Sequence, residues 1–214
     1  MADVVQEMRL FSPKGERLYL NKAERKRFMA AVRQNTNRNA VIFATLLHYT
    51  GARPTELREL TIDRVHPDTC EIVLRSIKKR KKDRKGNIKL PHYRTIPIPD
   101  YVMNIVTLGL DVRARQKRGD TSLLFPSPNN PKSPLNPKTV YDWVKSIMLT
   151  AGLTGANATP KGLRHGFAIA AVTTGKPLTK IQKWLGHTSI ATTEIYLDVT
   201  AEEEHDMIAD MWKD

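Results

Sequence analysis

Two side chains able to react stand nine residues apart in the stretch TKIQKWLGHTSIATTEIY (179–196): His187 and Tyr196. A phenol ionises near pH 10, so about one in a thousand is phenolate at pH 7. As a nucleophile it needs a proton acceptor at hand. A tyrosine alone usually just packs; what lies upstream raises the interest of this one. In TPKGLRHGFAIA (159–170), Lys161 and Arg164 are three residues apart, which on a helix places them on one face. Thr159-Pro160 reads as a cap followed by a first-turn proline. Both cations then lie in a first turn, where the helix N-terminus adds positive potential and suits a phosphate. A third stretch, TGARPTELREL (50–60), carries Arg53.

The elements that must hold these groups can be read from pattern. Ile181, Trp184 and Leu185 form one apolar helix face, and Gly186 ends that helix. Ser189 is expected to cap a second short helix bearing Ile190, Ile195 and Tyr196. Ala40 to Tyr49 is nearly all apolar and reads as a buried helix ended at Gly51. Pro54 opens a short helix to Leu60, so Arg53 lies in the rigid turn between the two. Asn21 with Glu24 reads as a capping box for a helix to about Arg33, with Phe28, Met29 and Val32 inward. Thr61–Val65, Glu71–Ile77 and Tyr93–Ile98 read as three antiparallel strands, with a long basic hairpin, about Lys79 to His92, between the last two. Asp100 is expected to cap a helix to about Lys117. Ser122 to Pro137 reads as a proline-rich loop. Asn136-Pro137 then opens a helix with Val140, Val144, Ile147 and Met148 on one face. Thr200 and Glu203 form a last capping box. Residues 1–17 lack periodicity and read as a flexible arm. No internal repeat and no second core is visible.

In this order, the G-A-R-P-T-E-L, K-G-L-R and L-G-H segments and the tyrosine nine residues on resemble the tyrosine recombinase (phage integrase) family over roughly residues 18–200. One position departs: the H-x-x-R histidine is Lys161 here. The resemblance implies a mainly α (α+β) fold, a helical catalytic domain with a small three-stranded antiparallel sheet. It implies catalytic roles for Tyr196, Arg53, Arg164, His187 and Lys161, and for a hairpin lysine, Lys78 or its neighbour Lys79. Two arginines would hold both non-bridging oxygens of a DNA phosphodiester, a task for a planar and permanently charged fork. The lysine would protonate the departing 5′-oxygen. The product would be a 3′-phosphotyrosyl bond, and religation would need no ATP. No cofactor and no metal is implied. The family also implies double-stranded DNA as partner, a dimer on each site and a tetramer in synapsis. It further implies that a C-terminal helix, 201–214, contacts a neighbouring protomer.

Composition agrees with these implications. Net charge is +13 and pI about 9.9, which points to a polyanionic partner. Residues 75–94 hold ten Lys or Arg against one Asp, a net +9. Lys79, Arg80, Lys81, Lys82, Arg84 and Lys85 are the expected DNA contacts. Residues 201–214 hold six acids against one lysine, a net −5. Met207, Ile208, Met211 and Trp212 give that segment an apolar stripe. Cys70 is the one cysteine, which excludes an internal disulfide. No apolar run reaches membrane-spanning length and no signal peptide is recognisable. A cytoplasmic, nucleoid-associated protein is expected. Two other readings share these residues: a type IB topoisomerase-like strand transferase, and a non-catalytic DNA-binding regulator with the same fold. The retained tyrosine and arginines count against the second of these.

Overall fold

The computed structural model describes residues 9–76 and 90–198, together with Glu204 and Ile208. Helix α1 (Lys22–Gln34) opens on the expected capping box: the Asn21 side chain accepts from the Glu24 N–H, and the Glu24 carboxylate accepts from the Asn21 N–H. It buries Phe28, Met29, Ala31 and Val32. Helix α2 (Arg38–Thr50) is buried along most of its length, as its largely apolar sequence requires. It touches α1 and, further along the chain, the helices at Asp100–Gly109, Pro137–Thr150 and Pro160–Thr173. Gly51 ends it in the left-handed conformation, φ 58°. Helix α3 (Pro54–Arg58) follows at once.

The sheet is antiparallel in the order β1 (Val65–His66), β2 (Glu71–Arg75), β3 (Tyr93–Pro97). The first strand is shorter than the sequence pattern suggests. Ile62–Arg64 is a 3₁₀ turn instead, with the Gln116 amide donating to the Ile62 and Val65 carbonyls. The helix expected from Asp100 to Lys117 is two, α4 (Asp100–Gly109) and α5 (Val112–Lys117). Asp111 breaks it at φ 49°. The break has a packing reason: Val112 does not share the i, i+3, i+4 stripe of Val102, Met103 and Val106, and only a re-aimed backbone buries it. Pro99, not Asp100, occupies the cap position. The proline-rich stretch contains a small hairpin, β4 (Pro126–Ser127) with β5 (Asn130–Pro134).

Helix α6 (Pro137–Thr150) buries Val140, Val144, Ile147 and Met148 as expected. Helices α7 (Pro160–Thr173) and α8 (Leu178–Leu185) follow, then α9 (Ala191–Glu194) and a 3₁₀ turn, Ile195–Leu197. The Ser189 side chain does not cap α9. Ser189 offers its backbone carbonyl to the Thr192 N–H, and Ile190 is already right-handed. Tyr196 therefore sits on the 3₁₀ turn.

Contrary to the single core expected, the buried side chains fall into two clusters. The larger joins α1, α2, α4, α6 and the sheet. The smaller gathers Leu10, Tyr19, Ala168, Ile169, Ile181, Leu185 and Tyr196. One member, Leu10, comes from the stretch expected to be a flexible arm. There Phe11 pairs with Arg17 across a short hairpin, Leu10 is buried, and Phe11 meets Tyr19 edge-to-face. Such scattered apolar residues bury well without showing a period. Of the expected C-terminal helix, Glu204 and Ile208 are helical and exposed; the rest of 201–214, with Thr200, lies outside the described residues. Among the described residues no helix is long and apolar enough to cross a membrane.

Candidate active site

Arg164 is the hub. Thr159 caps α7, its hydroxyl accepting from the Gly162 N–H, so Lys161 and Arg164 fall in the first turn and a half. Arg164 is buried, and its Nη1 donates to the Gly51 carbonyl at 2.6 Å. Its Nη2 donates to the Leu185 carbonyl at 2.7 Å and lies 3.1 Å from His187 Nε2. One guanidinium thus ties the end of α2 to the end of α8. Burial, then the charge of Arg53, lowers its pKa to about 9, which keeps it charged at neutral pH. Gly51 is favoured here for a second reason: a Cβ would press on the Phe167 ring.

A second arginine does a parallel job. Arg94, buried on β3, grips Glu56 with two hydrogen bonds, Nη2 to Oε2 at 2.6 Å and Nη1 to Oε1 at 3.0 Å. Its Nε donates to the Trp184 carbonyl at 2.7 Å. Arg94 and Arg164 therefore satisfy two carbonyls that the end of α8 leaves open, where the helix dipole favours cations. Gly186, at φ 68°, lets the chain turn directly over Arg94; a Cβ there would lie 3.1 Å from its guanidinium. Glu56 also accepts from the Arg53 N–H at 2.8 Å and from Arg53 Nη1 at 3.1 Å, which aims that side chain. Burial alone would raise the Glu56 pKa; the hydrogen bonds and charge of Arg94, then the charge of Arg164, hold it below the usual carboxylate range. Its contribution is present above the unfolded pKa near 4.5 and is lost as pH falls through the lowered folded value. Removing one partner of such a buried pair costs about 3–5 kcal/mol. Glu56→Ala should therefore lower Tm by on the order of 10 °C in a protein of this size, as read by calorimetry at pH 7. Loss of only a degree or two would mean that Arg94 finds solvent.

The two reactive candidates lie behind these arginines. Because an arginine can only donate, His187 Nε2 is the acceptor, and Nδ1–H donates to the Thr193 hydroxyl at 3.0 Å. Burial, with the charges of Arg164 and Arg53, lowers the His187 pKa to about 3, so it is a neutral imidazole. Its ring stacks on that of Tyr196, centroids 6.4 Å apart. Tyr196 is fully buried, and burial outweighs Arg164 and Arg53 to raise its pKa to about 12. Its hydroxyl lies 2.9 Å from His165 Nδ1.

A cavity of about 680 Å³ opens in front, lined by Arg53, Lys161, Arg164 and His165 among others. Arg53 is one-quarter exposed and Lys161 is exposed, so both can meet a ligand from solvent. The fold thus brings Arg53, Lys161 and Arg164 to one cavity, with His187 and Tyr196 one layer behind. Lys78, Lys79, Arg80, Lys81, Lys82, Arg84 and Lys85 lie outside the described residues.

The phage integrase family profile matches residues 18–203. The chain belongs to that family. It is 32% identical to the tyrosine recombinase XerA of Pyrococcus furiosus, over 85% of this chain and 57% of the relative. It superposes on the crystal structure of a XerA recombinase with a TM-score of 0.72 at 25% identity, over 95% of this chain and 66% of the other. It shares its fold with the XerH recombinase solved on palindromic difH substrate after cleavage, TM-score 0.71 at 22% identity, over 95% of this chain and 56% of the other. The chain spans just under two-thirds or less of each of these relatives.

Sequence reasoning missed Arg94, and it reads His165 as a residue that packs or bonds locally rather than reacts. Arg94 was legible: it shares its strand face with Ile96 and Ile98, both buried, so it had to point inward and find an acid. His165 carried no comparable signal. It is adjacent to Arg164, yet one helical step turns it about 100° away, toward Tyr196.

Proposed function

We propose that the chain is the catalytic part of a site-specific DNA recombinase that cleaves and rejoins double-stranded DNA through a 3′-phosphotyrosyl intermediate. The observation that carries this reading is the layering of Arg53, Lys161 and Arg164 around one cavity, with Tyr196 and His187 directly behind it. A phosphodiester in the cavity meets fixed positive charge. The Arg164 bonds described use both Nη2 hydrogens and one on Nη1, which leaves Nε–H, on one edge of the fork, as the donor for a non-bridging oxygen. Arg53, aimed by Glu56, serves the other oxygen. Preorganised charge of this kind is worth about 3–4 kcal/mol per donor in the transition state. Lys161 donates a hydrogen bond or charge where other members of the family use histidine. The Tyr196 oxygen bonds to phosphorus as the P–O5′ bond breaks, and the hairpin lysine at 78 or 79 protonates the 5′-oxygen. The buried resting phenol, with its raised pKa, protects against cleavage before DNA is seated.

The reading extends to a cytoplasmic, nucleoid-associated protein acting as a dimer on each site and a tetramer in synapsis, the segment 201–214 joining protomers. The test is direct. Incubated with a pool of randomised duplexes nicked on one strand, the protein should form an adduct that survives denaturation, and peptide mapping should find the nucleotide on Tyr196. An adduct on any other residue, or none at all, rejects the proposal. Binding should also be strongly salt-dependent, with log affinity falling about 0.9 per log salt for each phosphate contacted. Neutralising Lys81, Lys82, Arg84 and Lys85 together should flatten that slope by about 3.6; an unchanged slope removes the hairpin from the interface.

A further inference from the structure

The phosphate cavity and the nucleophile share a wall. His165 lines the cavity and, through Nδ1, touches the Tyr196 hydroxyl at 2.9 Å. That contact is the hydroxyl's one hydrogen bond among the described residues, while His165 Nε2 is buried and has no partner there. The phenol is the more acidic of the two groups and the imidazole nitrogen the more basic, so the stronger bond runs from Tyr196 O–H to Nδ1. The usual acceptor candidates are poorly placed to compete. Position 161 is a lysine, exposed to solvent. His187 already spends Nε2 on Arg164 and Nδ1–H on Thr193.

We propose that His165 is a catalytic residue, the base that takes the Tyr196 proton, and that the bound phosphodiester switches it on. This inference rests on the recombinase reading above. In the step, the proton passes from Tyr196 Oη to His165 Nδ1 as the Oη–P bond forms and the P–O5′ bond breaks. The departing 5′-oxygen takes its proton from a separate acid, the hairpin lysine or water. The charged groups facing His165 are Lys161 and Arg164 from its own helix, and the neutral but titratable His187 and Tyr196 stand opposite. Burial first, then the two cations, lowers its pKa to about 3, so the empty site holds a neutral imidazole that does not deprotonate tyrosine. A phosphodiester in the cavity brings negative charge beside the same ring. It neutralises those cations and raises the basicity of Nδ1 only when there is a bond to cut. The chemistry is thereby tied to occupancy without a moving lid.

His165→Asn tests it, because Asn Oδ1 can occupy the place of Nδ1 and accept the same hydrogen bond but cannot hold the proton. Single-turnover adduct formation is followed on a nicked duplex selected from the randomised pool with wild-type protein, and on the same duplex with sulfur replacing the bridging 5′-oxygen. A thiolate leaves without a general acid, so the sulfur substrate rescues loss of an acid and not loss of a base. Expected is a fall of at least about 100-fold at pH 7 on both substrates. The variant's rate should climb about tenfold per pH unit as hydroxide takes over, while that of the wild type changes little. In wild-type protein without DNA, side-chain ¹⁵N spectra should show Nδ1 of His165 unprotonated, a readout that needs no variant. Equal rates for wild type and His165→Asn overturn the inference and leave the recombinase reading standing. So does a faster variant, which would make His165 a latch, or rescue by sulfur, which would make it the acid. A protonated Nδ1 in the resting protein also overturns it. A wild-type protein that forms no adduct on any duplex ends both.

Discussion

Tyr196→Phe is expected to remove the covalent DNA adduct altogether while leaving the protein folded and able to bind a half-site. The ring of Tyr196 belongs to the smaller buried cluster, with Tyr19, Ile169, Ile181 and Leu185 around it. Phenylalanine keeps that packing. What disappears is one hydroxyl and its bond to His165, with Nδ1 left unpaired, which costs about 1 kcal/mol. For a chain of this length that lowers Tm by about 2–4 °C. The charged groups that attract DNA are untouched, since Tyr196 does not line the cavity. Adduct is read on a denaturing gel, affinity by fluorescence anisotropy and Tm by calorimetry. A variant that still forms adduct would transfer the nucleophile to another side chain and remove Tyr196 from the mechanism. A variant that unfolds would show that the hydroxyl is structural.

The asymmetry between what was and was not legible has a physical origin. Arg53, Lys161, Arg164 and His187 are found in the sequence because each lies at a helix end, and helix ends are written locally: Gly51, Pro54, Thr159-Pro160 and Gly186 mark them. The α6 face and strands β2 and β3 are equally local, through periods of 3.6 and 2. The smaller cluster is different. Leu10, Tyr19, Ile169, Ile181 and Tyr196 meet only in three dimensions, coming from the N-terminal stretch, two helices and a 3₁₀ turn. The same holds for the ties that shape the site. Arg164 reaches Gly51 across 113 residues and Arg94 reaches Trp184 across 90. A motif can announce that an arginine matters; its carbonyl partners become visible only when the ends of α2 and α8 are seen side by side. Local rules also mislead where packing overrules them. Ser189 is a good capping residue that does not cap, and the α4–α5 stretch breaks because Val112 must reach the core.

Arg164→Lys should separate the structural from the chemical role of the hub arginine, with a fall in cleavage of about 100- to 1,000-fold, equivalent to about 3–4 kcal/mol in the transition state. Alanine is the wrong probe. It would strand the Gly51 and Leu185 carbonyls and His187 Nε2 in the interior, at about 1–3 kcal/mol each, and unfolding would mask any chemistry. Lysine keeps a buried cation opposite the end of α8 and can serve some of those acceptors. It cannot do so while also presenting a fixed, oriented donor to a phosphate, because its ammonium is a point charge and not a planar fork. The positions of His187 and, behind it, Tyr196 should survive in large part, so half-site binding should fall far less than the rate. The decisive comparison is therefore the single-turnover adduct rate against the half-site dissociation constant, measured on the same duplex. If both fall together, Arg164 mainly holds DNA in the ground state. If neither falls more than about tenfold, its bonds to Gly51 and Leu185 are its whole purpose, and the transition-state charge would have to come from Arg53 and Lys161 alone.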